Sequence, residues 1–190
     1  MIHHRRSLRL KDYDYSQAGA YFVTICTYKK ESIFGEIVNG EMISNRYGEI
    51  AENEWLKTAE LRKNVELDEF IIMPNHFHCI IVITEGRGVL QYAPTEIFRS
   101  PSQTVGAIVR GFKSATTKHI NQIRNTPRAS LWQRNYYEHI IRNEKDLLDI
   151  QEYITNNPLK WDLDSENPEN VKKQDRKVGA YCNTPLQKEF

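Results

Sequence analysis

Two histidines spaced one residue apart are the strongest sign of chemistry in this sequence. They are His76 and His78, in the segment Asn75-His76-Phe77-His78 directly after Pro74. Side chains alternate along a β-strand, so the two imidazoles would project from one face, about 6.5–7 Å apart along the chain. That spacing suits two ligands of one metal ion, although a complete site needs further ligands and an open position. The pair alone is weak evidence, and an inert structural pair stays open.

A helix predicted over Glu144–Asn157 is the best source of a third ligand. Its apolar stripe consists of Leu147, Ile150 and Ile154. Tyr153 and Asn157 lie one turn apart, about 40° from each other around the helix, on the shoulder of that stripe. Asn157 offers an amide oxygen as a metal ligand, and Tyr153 offers a phenol. The alternative is a tyrosine at the edge of the core and an asparagine that ends the helix before Pro158.

The phenol of Tyr153 would need help to act as a nucleophile. The ordinary pKa of tyrosine is near 10, so the phenol is protonated and weakly nucleophilic at neutral pH. A divalent cation can polarise a phosphate and position it for in-line attack, so phosphoryl transfer fits this set of residues. Tyr136 and Tyr137 compete for the role. They lie in the basic and aromatic segment Leu131–Tyr137, which favours packing or contact with nucleic-acid bases.

The charges are segregated, although the formal net charge is only +1. From Ile97 to Tyr137 the sequence has no Asp or Glu. The basic residues of this acid-free stretch are Arg99, Arg110, Lys113, Lys118, Arg124, Arg128 and Arg134. The N-terminal arm adds more before its first acid, Asp12: Arg5, Arg6, Arg9 and Lys11. This pattern favours a surface that binds a polyanion over a chance cluster. We expect nucleic-acid contacts from Arg5, Arg6, Arg110, Lys113, Arg134 and Tyr136.

The elements that would position these residues alternate between strands and helices. Strands are expected at Ala20–Lys29, Phe70–Met73 and His76–Thr84, and an Asn39-Gly40 turn predicts a hairpin over Ile33–Ile43. Helices are expected at about Tyr47–Arg62, Thr104–Arg124 and Glu144–Asn157. Leu131–Arg142 is expected to be extended, and Glu85–Ser102 to be a loop. This order favours an α+β fold with a largely antiparallel central sheet and helices packed on it.

The 190 residues suffice for one domain with a normal core. We expect a basic arm over residues 1–19, a catalytic domain over 20–161 and a loose polar tail over 162–190. The arm has no apolar stretch after its arginines, and no run of about 18 apolar residues exists, so neither a secretory signal nor a membrane span is expected. Three scattered cysteines predict no disulfide framework and favour the cytoplasm.

Four segments together resemble the HUH-type single-tyrosine transposases, and most closely the REP-associated tyrosine transposases. In chain order they are RRSLRLKDYDYSQAGAYFVTICT, MPNHFHCIIVIT, LWQRNYYEHIIRNEKDL and YITNNPLKW. The resemblance implies a ferredoxin-like α+β fold, a divalent metal (Mg²⁺ or Mn²⁺) and cleavage of single-stranded DNA near a hairpin through a 5′-phosphotyrosine link. It implies the metal ligands His76, His78 and Asn157 and the nucleophile Tyr153. The insertion-sequence branch usually has glutamine at the place of Asn157, so asparagine favours the REP-associated branch.

Two other functions are compatible with the residues themselves. A non-catalytic protein that binds single-stranded or hairpin DNA needs only the basic and aromatic stretch. A metal-dependent hydrolase would use the same ion to activate water and would not need Tyr153. A covalent protein–DNA adduct that survives denaturation distinguishes the transesterase from both. The target sequence and the oligomeric state, monomer or homodimer, stay open.

We predict that DNA binding weakens steeply as salt rises. We expect about half of the basic residues in the acid-free stretch to contact phosphates. Each phosphate that they neutralise on a single strand adds about −0.7 to the slope of log affinity against log salt. Arg110→Ala should weaken binding to all sequences alike, because phosphate contacts carry no sequence information. Fluorescence anisotropy over a salt series measures both effects. A slope near zero would exclude this stretch from the interface.

Overall fold

The computed structural model describes residues 17–84 and 104–170. The expected loop Glu85–Ser102 lies outside the described residues, as do Arg5 and Arg6 of the basic arm. The strands and helices are β1 (Gly19–Cys26), β2 (Gly35–Val38), β3 (Glu41–Ser44), α1 (Arg46–Leu61), β4 (Val65–Ile72), β5 (His76–Ile83), α2 (Val105–Arg124), β6 (Tyr137–Ile141) and α3 (Glu144–Thr155). Two short 3-10 helices cover Tyr28–Lys30 and Pro158–Leu163.

A four-stranded antiparallel sheet in the order β4-β5-β1-β6 forms the central layer. β1 and β5 lie in its middle and are buried along most of their length, as expected for strands with apolar residues on both faces. The predicted α+β fold with a mainly antiparallel sheet is confirmed. Within residues 17–84 and 104–170 we found no helix with the length and hydropathy that crossing a bilayer requires.

The two faces of the sheet carry different helices. Val23 of β1 and Phe77 of β5 face a larger core that α1 and α2 complete. Phe22, next to Val23 on β1, and Ile80 of β5 point to the opposite face. There they belong to a smaller core in which Ile150 of α3 covers the sheet. Alternation along the central strands therefore decides which helix each side chain can meet.

The Asn39-Gly40 turn joins β2 to β3, as the sequence predicts. Asn39 has a φ of 53° and Gly40 a φ of 79°, the positive values that a type I′ hairpin turn requires. β2 and β3 pair only with each other among the described strands, as a separate two-stranded sheet.

Three strand boundaries differ from the sequence prediction. β4 begins at Val65 rather than Phe70, because a strand at the edge of the sheet can keep its acidic side chains in solvent. β1 ends at Cys26, where the chain turns into a 3-10 helix in which Lys29 and Lys30 have positive φ. The sequence predicts that Leu131–Arg142 is extended, but β6 covers only Tyr137–Ile141.

Residues 162–170 pack on the domain, in contrast to the loose tail expected after Trp161. Glu166 and Asn167 are buried, with 2% and 6% of their surfaces exposed. Glu166 Oε2 lies 3.1 Å from Lys30 Nζ, and the Glu166 carbonyl accepts a hydrogen bond from Asn75 Nδ2 at 2.6 Å. The composition did not reveal this packing because it rests on an ion pair and hydrogen bonds rather than on apolar residues.

α3 is attached to both edges of the sheet. Asn143 caps its N-terminus by accepting a hydrogen bond from the backbone N–H of Asp146 at 2.9 Å. The Asp146 carboxylate lies 3.0 Å from Nε2 of His139 on β6, and Gln151 Nε2 donates to Asp68 on β4 at 2.7 Å. These contacts hold α3 over the sheet.

We predict that the docking of α3 depends on the side chain of Ile150. Ile150 is fully buried, so Ile150→Ala should lower the free energy of unfolding by about 2–5 kcal/mol. Leu148 on the same helix is 57% exposed, so Leu148→Ala should change it by less than about 0.5 kcal/mol. Urea unfolding followed by circular dichroism measures both variants. Equal losses would contradict the packing of α3 on the sheet.

Candidate metal and nucleophile site

The two histidines begin β5, and they share a face of the sheet as predicted. Both are fully buried, and their ring centroids lie 4.5 Å apart. The strand register places His76 opposite Cys26 and His78 opposite Thr24 of β1. Ile80 follows on the same face and packs with α3, so the histidines lie on the side of the sheet that α3 covers.

Hydrogen bonds determine which nitrogen of His76 carries the proton. Asn75 Nδ2 donates to the carbonyls of Lys30 at 3.1 Å and Glu166 at 2.6 Å, so Asn75 Oδ1 is left as an acceptor. This oxygen lies 2.9 Å from His76 Nδ1, which must therefore be the N–H donor. His76 Nε2 then holds a lone pair. It is buried without a hydrogen-bond partner in the part of the chain that the structure describes.

His78 is held from both sides of its ring. Its Nδ1 lies 2.9 Å from Thr24 Oγ1, and its Nε2 lies 3.4 Å from the phenolic oxygen of Tyr153. The ring stacks on Phe22 at a centroid distance of 5.5 Å and meets the Tyr153 ring edge-on at 5.2 Å. α3 therefore brings the phenol of Tyr153 to the histidine pair, as the helix pattern predicted.

Asn157 follows α3 rather than belonging to it. α3 stops at Thr155, two residues short of the prediction, because the chain tightens there toward the 3-10 helix that starts at Pro158. Asn157 nevertheless keeps helical dihedral angles, with φ −59° and ψ −42°, and its side chain interacts with the phenol of Tyr153 and lowers the pKa of that group, against the larger rise caused by burial. The residue is 2% exposed, and Oδ1 is buried with no hydrogen-bond partner among the described residues.

Burial keeps both imidazoles neutral at neutral pH. It lowers the pKa of His76, against the opposing charges of Asp164 and Glu166. It lowers the pKa of His78 well below its usual range, and the neighbouring His76 adds to the decrease. Neutral imidazoles retain the lone pairs that a metal ion needs. Burial also raises the pKa of Tyr153, and the charge of Asp164 adds to the rise, so the phenol is protonated at neutral pH.

The atoms that converge here fit a divalent cation. His76 Nε2 and Asn157 Oδ1 have no hydrogen-bond partner among the described residues, and His78 Nε2 has only the long contact to Tyr153. An unsatisfied buried acceptor costs about 1–3 kcal/mol. Imidazole nitrogens together with an amide oxygen can bind a divalent ion such as Mn²⁺, and a bound ion would satisfy all three atoms at once.

Asp164 is a neighbour of the histidines that the sequence did not single out. Its Oδ2 lies 3.8 Å from His76 Nε2, and one ligand atom from each of His76, His78 and Asp164 lies within 4.8 Å of the others. Asp164 directly follows the 3-10 helix Pro158–Leu163, in the segment expected to be a loose tail. The only signal in the sequence was the acid-rich run Asp162–Glu166, which predicts solvent exposure as readily as a ligand.

The predicted DNA contacts that the structure describes lie mainly away from this site. Arg110 is exposed on α2, which covers the opposite face of the sheet from α3, and Arg134 is exposed before β6. The two adjacent tyrosines point to opposite faces of the sheet, and both are partly buried against a core. Tyr136 packs half-buried against the core of α1 and α2, whereas Tyr137 packs against the core of α3.

Lys113 has a role that the sequence did not predict. Its Nζ donates to the backbone carbonyls of Gln133 and Arg134, and it is partly buried between α2 and that segment. Burial lowers the pKa of Lys113 to about 8. The ammonium group is thus committed to holding Gln133 and Arg134 against α2, which argues against the predicted phosphate contact.

Known proteins are similar to this chain over most of its length. No protein-family model matches it. An uncharacterized protein of Haemophilus influenzae is 46% identical over 169 residues, which cover 86% of this chain and 93% of that protein. A second Haemophilus influenzae protein, assigned to the REP-associated tyrosine transposases, is 25% identical over 153 residues, 77% of this chain and 74% of its own length. The REP-associated tyrosine transposase of Escherichia coli is 23% identical over 146 residues, 77% of this chain and 70% of its own length.

A solved structure shares the fold. It is the REP-associated tyrosine transposase bound to a REP hairpin, and it matches with a TM-score of 0.55 and 21% identity over 84% of this chain and 74% of that one. At this identity the match shows the fold alone. The named sequence relatives and the solved structure belong to the same group of transposases. The chain is therefore related to the REP-associated tyrosine transposases, and through them to the HUH tyrosine transposases.

Proposed function

We propose that this protein is a metal-dependent transesterase that cleaves and joins single-stranded DNA near hairpins. One observation carries the proposal. The phenolic oxygen of Tyr153 lies 3.4 Å from His78 Nε2, the His78 ring contacts that of His76, and the Asn157 side chain lies close enough to affect the pKa of both His76 and Tyr153. A metal ion bound by His76, His78 and Asn157 would polarise a phosphate of the DNA. The Tyr153 phenol would then lie next to that phosphate, in position to attack it. The kinship with tyrosine transposases, one of them solved with a DNA hairpin, supports DNA as the substrate.

We assign His76 Nε2, His78 Nε2 and Asn157 Oδ1 as protein ligands of Mg²⁺ or Mn²⁺. When bound, the ion supplies positive charge that stabilises the developing charge on the phosphate. Asn75 and Thr24 would hold the two rings from behind, through the Nδ1 contacts at 2.9 Å. Such outer contacts fix the tautomer and the orientation of a ligating imidazole.

Tyr153 would attack the phosphorus of the scissile phosphodiester. A bond forms between its phenolic oxygen and phosphorus, and the bond from phosphorus to the 3′ oxygen of the preceding nucleotide breaks. The phenol loses its proton as the new bond forms, and the departing 3′ oxygen takes up a proton to become a hydroxyl. The product is a 5′-phosphotyrosine. Because one ester replaces another, a 3′-hydroxyl can reverse the step and join strands without a nucleotide triphosphate.

Tyr153 is better placed for this role than the two tyrosines near the start of β6. Tyr136 packs on the α1 and α2 side of the sheet, opposite to the histidines. Tyr137 shares the α3 side, but its ring meets Phe22 at 6.2 Å. The Tyr153 ring contacts His78 directly, which supports the assignment.

The rest of the DNA would be held by basic residues outside the pocket. Arg110 and Arg134 are exposed, and Arg5 and Arg6 of the arm add positive charge in the sequence. Tyr136 stays a proposed contact through its partly exposed ring. Because Arg110 lies on the face opposite to the pocket, we propose that the DNA contacts more than one face of the domain. We also propose a cytoplasmic location, which the three scattered cysteines favour.

We predict that Mn²⁺ stabilises the protein through the two histidines. At about 100 times the Kd for Mn²⁺, the free energy of unfolding should rise by about 2.7 kcal/mol. His76→Ala and His78→Ala should lose most of this rise and should abolish DNA cleavage. His119→Ala is the matched control, because His119 lies on α2, 3.2 Å from Glu54 and on the other side of the sheet. Urea unfolding with and without Mn²⁺ measures the rise. If both His76→Ala and His78→Ala are stabilised by Mn²⁺ as much as the unmodified protein, the ligand assignment is wrong.

We predict that Tyr153 forms the covalent bond to DNA. Tyr153→Phe removes only the phenolic oxygen, so folding and DNA binding should persist while cleavage and the covalent adduct disappear together. Tyr137→Phe is the control, because Tyr137 is a nearby tyrosine on the same side of the sheet. Labelled hairpin DNA with Mn²⁺, run on a denaturing gel, measures both products.

Peptide mapping of the trapped adduct separates the alternatives. A DNA-linked peptide that contains Tyr136 or Tyr137 would overturn the assignment of Tyr153. Cleavage by Tyr153→Phe without an adduct would favour a hydrolase that activates water. Binding without cleavage by the unmodified protein, across a panel of hairpins, would favour a non-catalytic DNA-binding protein.

A further inference from the structure

We propose that Asp164 supplies a fourth protein ligand to the ion, a carboxylate delivered by the segment after α3. The inference rests on the proposed metal site of His76, His78 and Asn157. It adds a negatively charged oxygen to a set of neutral donors, and it assigns a purpose to a segment outside the four family-like stretches of the sequence.

The two oxygens of the Asp164 carboxylate have different surroundings. Oδ1 accepts a hydrogen bond from the backbone N–H of Glu166 at 2.6 Å, which fixes the orientation of the group. Oδ2 is directed toward His76 Nε2 at 3.8 Å, and the side chain is only 9% exposed. Two ligands at about 2.1 Å from one ion can lie up to about 4.2 Å apart, so this separation suits a shared ion.

Direct pairing between Asp164 and His76 does not explain the arrangement. A distance of 3.8 Å is too long for a hydrogen bond. The proton of His76 is on Nδ1, where Asn75 accepts it, so Nε2 offers a lone pair and not an N–H. A carboxylate oxygen and an imidazole lone pair therefore face each other, and His76 Nε2 has no hydrogen-bond partner among the described residues. Acceptors that face one another repel, and a cation among them converts the repulsion into attraction.

A buried ion pair holds the Asp164 segment against the strands. Lys30 and Glu166 are 15% and 2% exposed in their side chains, with Nζ and Oε2 3.1 Å apart. Cys26 Sγ donates to the same carboxylate oxygen at 3.5 Å, and Asn75 Nδ2 donates to the Glu166 carbonyl at 2.6 Å. We therefore assign Lys30 and Glu166 as positioning residues for Asp164.

Asn75 connects the two halves of the site. Its Oδ1 sets the tautomer of His76, and its Nδ2 holds the backbone of Glu166, two residues after Asp164. The Asn75 side chain thus orients His76, the neutral ligand, and also holds the segment that carries Asp164, the charged ligand. This double use gives a physical reason for asparagine at the position before His76.

Calorimetric titration of the full chain with Mn²⁺ tests the inference. Asp164→Asn keeps the shape of the side chain and removes its charge, and we expect the Kd for Mn²⁺ to rise at least about tenfold. Asp162→Asn is the matched control, since it makes the same change of charge on an exposed residue of the same segment, and its Kd should stay within about twofold of the unmodified value. Circular dichroism checks that each variant is folded, and Asp164→Ala serves as a second variant with the same expected loss.

Two further variants test the positioning residues. Lys30→Met should raise the Kd for Mn²⁺ while the stoichiometry stays at one ion, and Lys30→Arg should restore the affinity by keeping the ion pair with Glu166. Equal Kd values for Asp164→Asn and Asp162→Asn would overturn the role of Asp164 and leave the histidine site standing. If the unmodified chain binds no Mn²⁺, or if His76→Ala binds it unchanged, the proposed metal site itself is wrong.

Discussion

Hydrogen-bond acceptors buried without donors are costly, and this protein gathers them at the point where β5 begins. His76 Nε2 and Asn157 Oδ1 have no partner in the described chain, and Asp164 Oδ2 lies nearby at a non-bonding distance. Each such group costs about 1–3 kcal/mol if nothing satisfies it. A fold retains that cost where a ligand removes it, so the need for a cation explains why these side chains converge in the interior.

The rest of the structure serves to bring these atoms together from distant parts of the chain. Antiparallel pairing with β1 puts Thr24 behind the ring of His78, and Asn75 fixes the ring of His76. α3 is attached to both edges of the sheet, so its last turn delivers Tyr153 over the histidines. The segment that follows is held by the ion pair of Lys30 and Glu166. The pocket thus depends on contacts between residues far apart in sequence.

Local periodicity predicted the parts of the site that lie close together in the sequence. Alternation along a strand was enough to place His76 and His78 on one face. Helical spacing also predicted that Tyr153 and Asn157 lie together, because Asn157 keeps helical dihedral angles although α3 ends before it. The sequence could not reveal Asp164, because its position depends on Glu166 meeting Lys30 and Asn75 across the fold. The sequence predicted Lys113 as an exposed charge for DNA because a helical pattern cannot reveal its partners in another segment. Its ammonium group donates hydrogen bonds to the backbone carbonyls of Gln133 and Arg134.

Anomalous X-ray diffraction at the manganese edge, from crystals of the full chain grown with Mn²⁺, tests the central claim most directly. The account predicts one strong anomalous peak in the pocket, about 2 Å from Nε2 of both His76 and His78, with the Asn157 oxygen also in contact. The absence of a peak at saturating Mn²⁺, or a peak that leaves His76 Nε2 unsatisfied, would contradict it.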